Sequence, residues 1–133
     1  MSNFIDDIMQ NIADLIDNEV EPYASVVFGS DPPDSGICMI QGAGAPTDTH
    51  LDKGMLYRLP VVLNGKNTSQ SLVLTDLTRI HEALTRKLQY QDLSTADCQV
   101  VNIATTASPS IIGREQNSQW VCGSSFEISF YWR

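Results

Sequence analysis

From Phe4 to Val20 the apolar residues fall at Phe4, Ile5, Ile8, Met9, Ile12, Ala13, Leu15, Ile16 and Val20. That spacing marks one face of an amphipathic helix. Ser2 or Asn3 can accept the first unpaired N–H groups, Asp6 and Asp7 suit the positive end of the helix dipole, and Pro22 stops the run. Asp17, Glu19 and Glu21 crowd the negative end, a placement with no local explanation. A second stripe, Val73, Leu77, Ile80, Leu84 and Leu88, advances in steps of three and four and predicts a second helix. Glu82 and Arg86 stand at i,i+4 on its outer side, and Arg86 with Lys87 suits its C-terminal end. Its start is open by a turn, because Leu72 to Thr75 also reads as strand.

The remaining apolar runs are extended. Ala24 to Gly29 and Ile37 to Gln41 flank the turn-forming stretch Asp31-Pro32-Pro33-Asp34-Ser35-Gly36 and predict a hairpin. Gly42 to His50 has small and polar residues without period and reads as an exposed loop. Met55 to Leu63 is extended, and Pro60 within it points to an edge strand or a bulge. Val100 to Thr106 is rich in β-branched residues, and Pro109 to Ser118 reads as a loop. In the last stretch Phe126, Ile128, Phe130 and Trp132 alternate with Glu127, Ser129, Tyr131 and Arg133, the pattern of a strand with one buried face. The expected class is α+β: two helices on a mixed, mainly antiparallel sheet of about five strands, in the order α-β-β-β-α-β-β.

Composition narrows the function. A chain of 133 residues fits one domain, and 42% hydrophobic with 18% charged residues is the profile of a folded protein. The longest apolar runs are a few residues, far short of the ~20 that span a bilayer, and the N-terminus lacks a basic residue, so neither a transmembrane helix nor a secretory signal is expected. Synthesis in the cytoplasm follows. Cys38, Cys98 and Cys122 are odd in number and widely spaced, and each is expected to act as a small buried hydrophobe. A net charge of −8 opposes binding to a phosphate backbone. The charge is also polarised: residues 1–52 hold ten acids and no Lys or Arg, whereas residues 53–133 hold six acids and eight bases. Such polarity fits a solvated acidic face, a subunit whose unlike faces meet head to tail, or a channel lining along which DNA slides without sticking.

Motifs for chemistry are sparse. His50 and His81 stand outside any zinc spacing, and the Asp48 to Asp52 cluster lacks the calcium-loop pattern, so no metal or other cofactor is expected. Gly42-Ala43-Gly44 is too short for a dinucleotide fingerprint, and Gly123-Ser124-Ser125 lies within a strand and not at a nucleophile elbow. The alternatives to a structural role are a small hydrolase or ligand-binding domain and a soluble regulatory module, and an enzyme requires convergent ionisable groups in a cleft. A sheet with so few helices exposes an edge, and association covers one. Tyr131 and Trp132 fit either a core strand or a contact between subunits.

The acidic N-terminal helix, the segment Tyr57-Arg58-Leu59-Pro60-Val61-Val62-Leu63, the helix with Leu77, Ile80 and Leu84, and the closing strand Phe126 to Arg133 together resemble the tail terminator proteins of long-tailed bacteriophages. Related minor capsid and head–tail joining proteins share the pattern, which covers nearly the whole chain. The resemblance implies a virion protein: a hexameric ring that caps the tail tube protein, stops its polymerisation, meets a head-completion or connector protein, and lets DNA through a central channel. A stopper or other connector is the alternative within the same class. No catalytic residue is implied. Long polar loops on a rigid sheet carry binding, so the contacts are expected at the loops 42–52 and 109–118 and at the C-terminus, with Asp48, His50, Asp52, Arg58, Arg114, Glu115, Tyr131 and Arg133 as the residues.

Overall fold

Helix α1, Phe4–Leu15, runs on through a π-helical turn, Ile16–Val20, and buries Ile8, Met9, Ile12, Ala13, Leu15, Ile16 and Val20, the stripe set by their spacing. The computed structural model describes residues 4–29, 32–42, 45–49, 55–86, 94 and 98–132. The expected cap at Ser2 or Asn3 lies outside them, as do Lys87, Leu88, His50, Asp52 and Arg133. The helix ends where Glu21 turns left-handed, with its N–H on the Ile16 carbonyl at 3.3 Å, one residue before Pro22. Its acidic C-terminal end is matched from elsewhere in the chain. The Asp17 carboxylate accepts the Val26 N–H at 3.2 Å, and the Arg79 guanidinium donates to the Val20 carbonyl at 2.7 Å, placing a cation at the negative end of the dipole.

Six strands follow: β1 Val26–Phe28, β2 Ile37–Gln41, β3 Ala45–Thr49, β4 Met55–Asn67, then β5 Cys98–Arg114 and β6 Trp120–Trp132 after helix α2, Gln70–Thr85. They form one mixed sheet in the order β1-β2-β4-β6-β5, with β3 beside the first part of β4. The α+β class, the mainly antiparallel sheet and the alternation of helix, strands, helix and two strands are as expected, and β3 is an additional short strand.

Four local expectations are corrected. β1 and β2 are parallel, Val26 opposite Ile37, so the turn between them does not close a hairpin. Pro32 and Pro33 have no N–H to continue an antiparallel ladder, and the chain instead turns back through left-handed Ser35, with the Gly36 N–H on the Pro33 carbonyl at 2.9 Å. A Cβ on Gly36 would lie 2.5 Å from the Pro33 ring, so this return requires glycine. Part of the expected loop 42–52 is strand β3, which pairs with Met55 to Arg58 and absorbs its irregularity in a bulge between Pro46 and Asp48. The expected loop 109–118 is strand as far as Arg114. Finally, β4 is an inner strand despite Pro60. β2 covers it from Val61 to Gly65 and β3 from Met55 to Arg58, so Pro60 falls at the gap between them, and its carbonyl takes the Gly42 N–H at 2.7 Å.

The two described helices cover one face of the sheet. α2 is capped by Ser69, whose hydroxyl accepts the Leu72 N–H at 3.3 Å, and it buries Val73, Leu77, Ile80 and Leu84. Against them lie Leu59, Val61 and Leu63 of β4 and Cys122, Phe126, Ile128 and Phe130 of β6. Each such side chain, fully buried, contributes roughly 1.5–3 kcal/mol over its exposed state. All three cysteines are buried thiols. Among the described residues no helix is long and apolar enough to cross a membrane.

Candidate assembly surfaces

Two polar clusters lie under the helices, and both act as ties. Asp76, 4% exposed, accepts the Tyr23 N–H at 2.9 Å and faces Arg79 at 3.5 Å, so α2 holds the end of α1. The Tyr23 hydroxyl reaches the carbonyls of Gly36 and Lys66 at 2.9 and 3.0 Å. Burial first, then the Asp76 charge, pushes its phenol far above the usual range, so it stays a donor. A Cβ on Gly65 would come 2.9 Å from that hydroxyl, which explains the glycine there. His81 is the second tie. Its Nε2 is 2.8 Å from the Ser124 hydroxyl, its Nδ1 2.9 Å from the Thr105 hydroxyl, and its ring meets Phe126 edge-on. Histidine beside serine has the makings of general-base chemistry, but His81 and Ser124 are each only 5% exposed. Burial lowers the His81 pKa, favouring the neutral ring that bridges two hydroxyls.

Among the described residues the opposite face of the sheet carries no helix. Ile40, Val62, Ser125 and Ala107 form one row across β2, β4, β6 and β5, with Val27 exposed nearby. Arg58 and Tyr131 share this face one row apart, since Arg58 pairs with Ser129 and Leu56 with Tyr131. The Arg58 side chain is 56% exposed and stands 3.9 Å from Glu127, a pair of little energetic weight.

The edge of the sheet is more unusual. Among the described residues β5 has a strand neighbour on one side only, and beyond Ile103 every residue of the strand is exposed except half-buried Pro109 and Gly113. Natural edges are blunted by charge, brevity, proline or bulges. β5 is 17 residues long and has no charged side chain before Arg114, although Pro109 and four register shifts interrupt it. Val101, Ile111 and Ile112 are exposed along it, Ile112 to 67%. The Ile112 side chain rests where Gly123 leaves room, 2.7 Å from the position a Cβ would take.

The tip of the β5–β6 hairpin is fastened down. The Glu115 N–H reaches the Gln119 carbonyl at 2.8 Å around left-handed Ser118, and the Glu115 carboxylate meets buried Lys66 at 3.0 Å. Asn117 donates to Asp34, and Gln119 accepts the Ser35 N–H. Arg114 lies 5.5 Å over the Trp120 ring and donates to Ser118.

The expected contact residues thus fall into two places, Arg58 with Tyr131 on the open face and Arg114 with Glu115 at the tip. Asp48 lies on β3 opposite Leu56. The reading of the sequence named the segment 109–118 but not the exposed apolar residues Ile111 and Ile112 within it, nor Val101 earlier on the same strand. The signal was available: Cys98 to Gly113 contains no charge.

At the other edge, α1 and the ends of β1 and β2 enclose an open groove of about 420 Å³. Buried Met9 and Met39 form its floor and half-exposed Phe28 and Ile40 its walls, with Asp6 and Gln10 on the rim.

No protein-family description and no curated protein sequence matches this chain. Among solved structures it is similar to a chain of the "Virion of native gene transfer agent (GTA) particle", with a TM-score of 0.56 and 13% identity over 93% of this chain and 91% of that one. At that identity the likeness is one of fold.

Proposed function

We propose that this chain is a structural virion protein that acts by shape: a ring subunit that ends a phage-like tail tube and joins it to a head-completion protein. The observation that carries the reading is the long, uncharged, exposed β5 edge, a surface that an isolated soluble protein has reason to blunt and an assembling subunit has reason to keep. Its fold likeness to a chain of a virion particle, spanning nearly the full length of both, supports the same class. Termination requires no bond chemistry. One ring face must fit the last ring of the tube, and the other must fail to fit a further one. The acidic residues 1–52 and the slightly basic remainder suit unlike faces and a channel that does not retain DNA.

The test is molar mass by light scattering, with imaging of particles, in the presence and absence of purified tube protein. A closed ring that binds tube ends is expected. A ring that binds only a head-completion protein identifies a stopper instead, and a chain that stays monomeric under every condition overturns assembly altogether. Neutralising Asp48 and Asp52 together is expected to weaken tube binding, and unchanged control of tail length in that double variant counts against the 42–52 segment.

A further inference from the structure

We infer that the Ile111–Ile112 stretch of the β5 edge in one copy seats in the groove between α1 and the β1–β2 edge of the next copy, so that subunits join head to tail. This contact rests on the ring reading and specifies its geometry.

The two surfaces belong to one chain but cannot meet within it, because β2, β4 and β6 lie between β5 and β1. Chemically they match. Ile112, 67% exposed, and Ile111 are the apolar side chains at the end of the edge, and the groove offers a methionine floor with Phe28 as a half-exposed wall. The charges also match. β5 contains no acid and finishes on Arg114, whereas the groove rim carries Asp6 within a 52-residue segment that has no Lys or Arg. A second copy therefore satisfies both the apolar and the electrostatic requirement. Because edge and groove are different surfaces, the contact is heterologous, and such contacts generate rings when the rotation closes.

Ile112→Asp and Phe28→Asp separate the two halves of the contact, and both positions are exposed enough that circular dichroism should show the wild-type fold. Each substitution places an unpaired charge in an apolar contact, so the concentration needed for ring formation should rise on the order of a hundredfold. Mixing the two variants is the decisive measurement. The Phe28 variant keeps its edge and the Ile112 variant keeps its groove, so an equimolar mixture should form 1:1 dimers and nothing larger. A second readout is the pair Ile112→Cys and Phe28→Cys in one chain, which should give an intermolecular disulfide ladder on oxidation where the wild type gives none.

A mixture that remains monomeric overturns the head-to-tail contact, and so does a wild-type ring that survives either charge substitution or a double-cysteine chain that forms no ladder. In those cases the ring itself still stands in the wild type. A wild type that never assembles, with or without tube protein, overturns the ring reading as well.

Discussion

β5 and β6 are partners in one hairpin, yet their sequences answer to different surroundings. β6 has a strand on each side and helices above it, and from Val121 to Tyr131 its residues alternate strictly between buried and half-buried. β5 has one neighbour among the described residues, and after Ile103, although Thr105 still meets His81 of α2, its residues lose alternation and are exposed except for half-buried Pro109 and Gly113. Strand propensity is similar in both, since each is rich in β-branched or aromatic residues. What differs is the second neighbour and the roof. Period-2 patterning is a record of burial on one face and fades wherever neither face is buried. The two strands therefore differ in what they give the fold: β6 is enclosed by it, and the outer part of β5 stands exposed.

The largest effect that can sharpen this contrast is expected at Phe126, fully buried on β6 against the His81 ring. Phe126→Ala should lower the stability to urea by about 3–5 kcal/mol, through lost burial and the cavity left behind. A loss below 1 kcal/mol would mean that β6 is no more structural than its partner. Next comes the roof. Asp76→Ala removes the acceptor of the Tyr23 N–H and the partner of Arg79 in a site 4% exposed, and should cost about 2 kcal/mol in the same assay. If α2 held the sheet by apolar contact alone, that variant would unfold at the wild-type midpoint.

The tie between the two regions is His81, which links α2 to Ser124 of β6 and Thr105 of β5. Burial lowers its folded pKa below the ordinary 6.5, so between the two values the unfolded chain binds more protons than the folded one. Stability contributed by the neutral ring is thus fully present above pH 6.5 and is lost as pH falls toward the lowered folded value. Urea midpoints taken between pH 7.5 and 5.5 should decline for the wild type and less so for His81→Gln. Equal slopes in the two proteins would show that the imidazole is not what titrates.

The sequence made much of this fold legible, and its failures share a cause. The stripes Ile8 to Val20 and Val73 to Leu84 and the alternation Phe126, Ile128, Phe130 were readable because each is a local record of one buried face. The parallel pairing of β1 with β2 was not, because it depends on where Pro32 and Pro33 send the chain and not on the strands themselves. Pro46 hid β3, and Pro109 with Gly113 hid the outer half of β5, since both residue types punctuate loops as well as bulged edges. The acids at the end of α1 had no local reason because what offsets them, the Arg79 cation on the Val20 carbonyl and the Val26 N–H on Asp17, comes from other elements. Of the expected contact residues, Arg58 and Tyr131 came together through the β4–β6 register, which the charge pattern did not encode.

The smallest effect on stability, and the one that tests the contrast from the other side, belongs to Ile112. Two-thirds of its surface is already in water and its side chain lies over Gly123, so Ile112→Ser removes little that folding had buried. Its urea midpoint should lie within about 0.5 kcal/mol of the wild type. On the proposed head-to-tail contact, this hydrophobe adds little to the fold and is covered instead by the neighbouring copy. The same variant should therefore weaken association while leaving the unfolding curve unchanged. If it instead unfolds early and still assembles, β5 is a structural strand like β6 and the division between them fails.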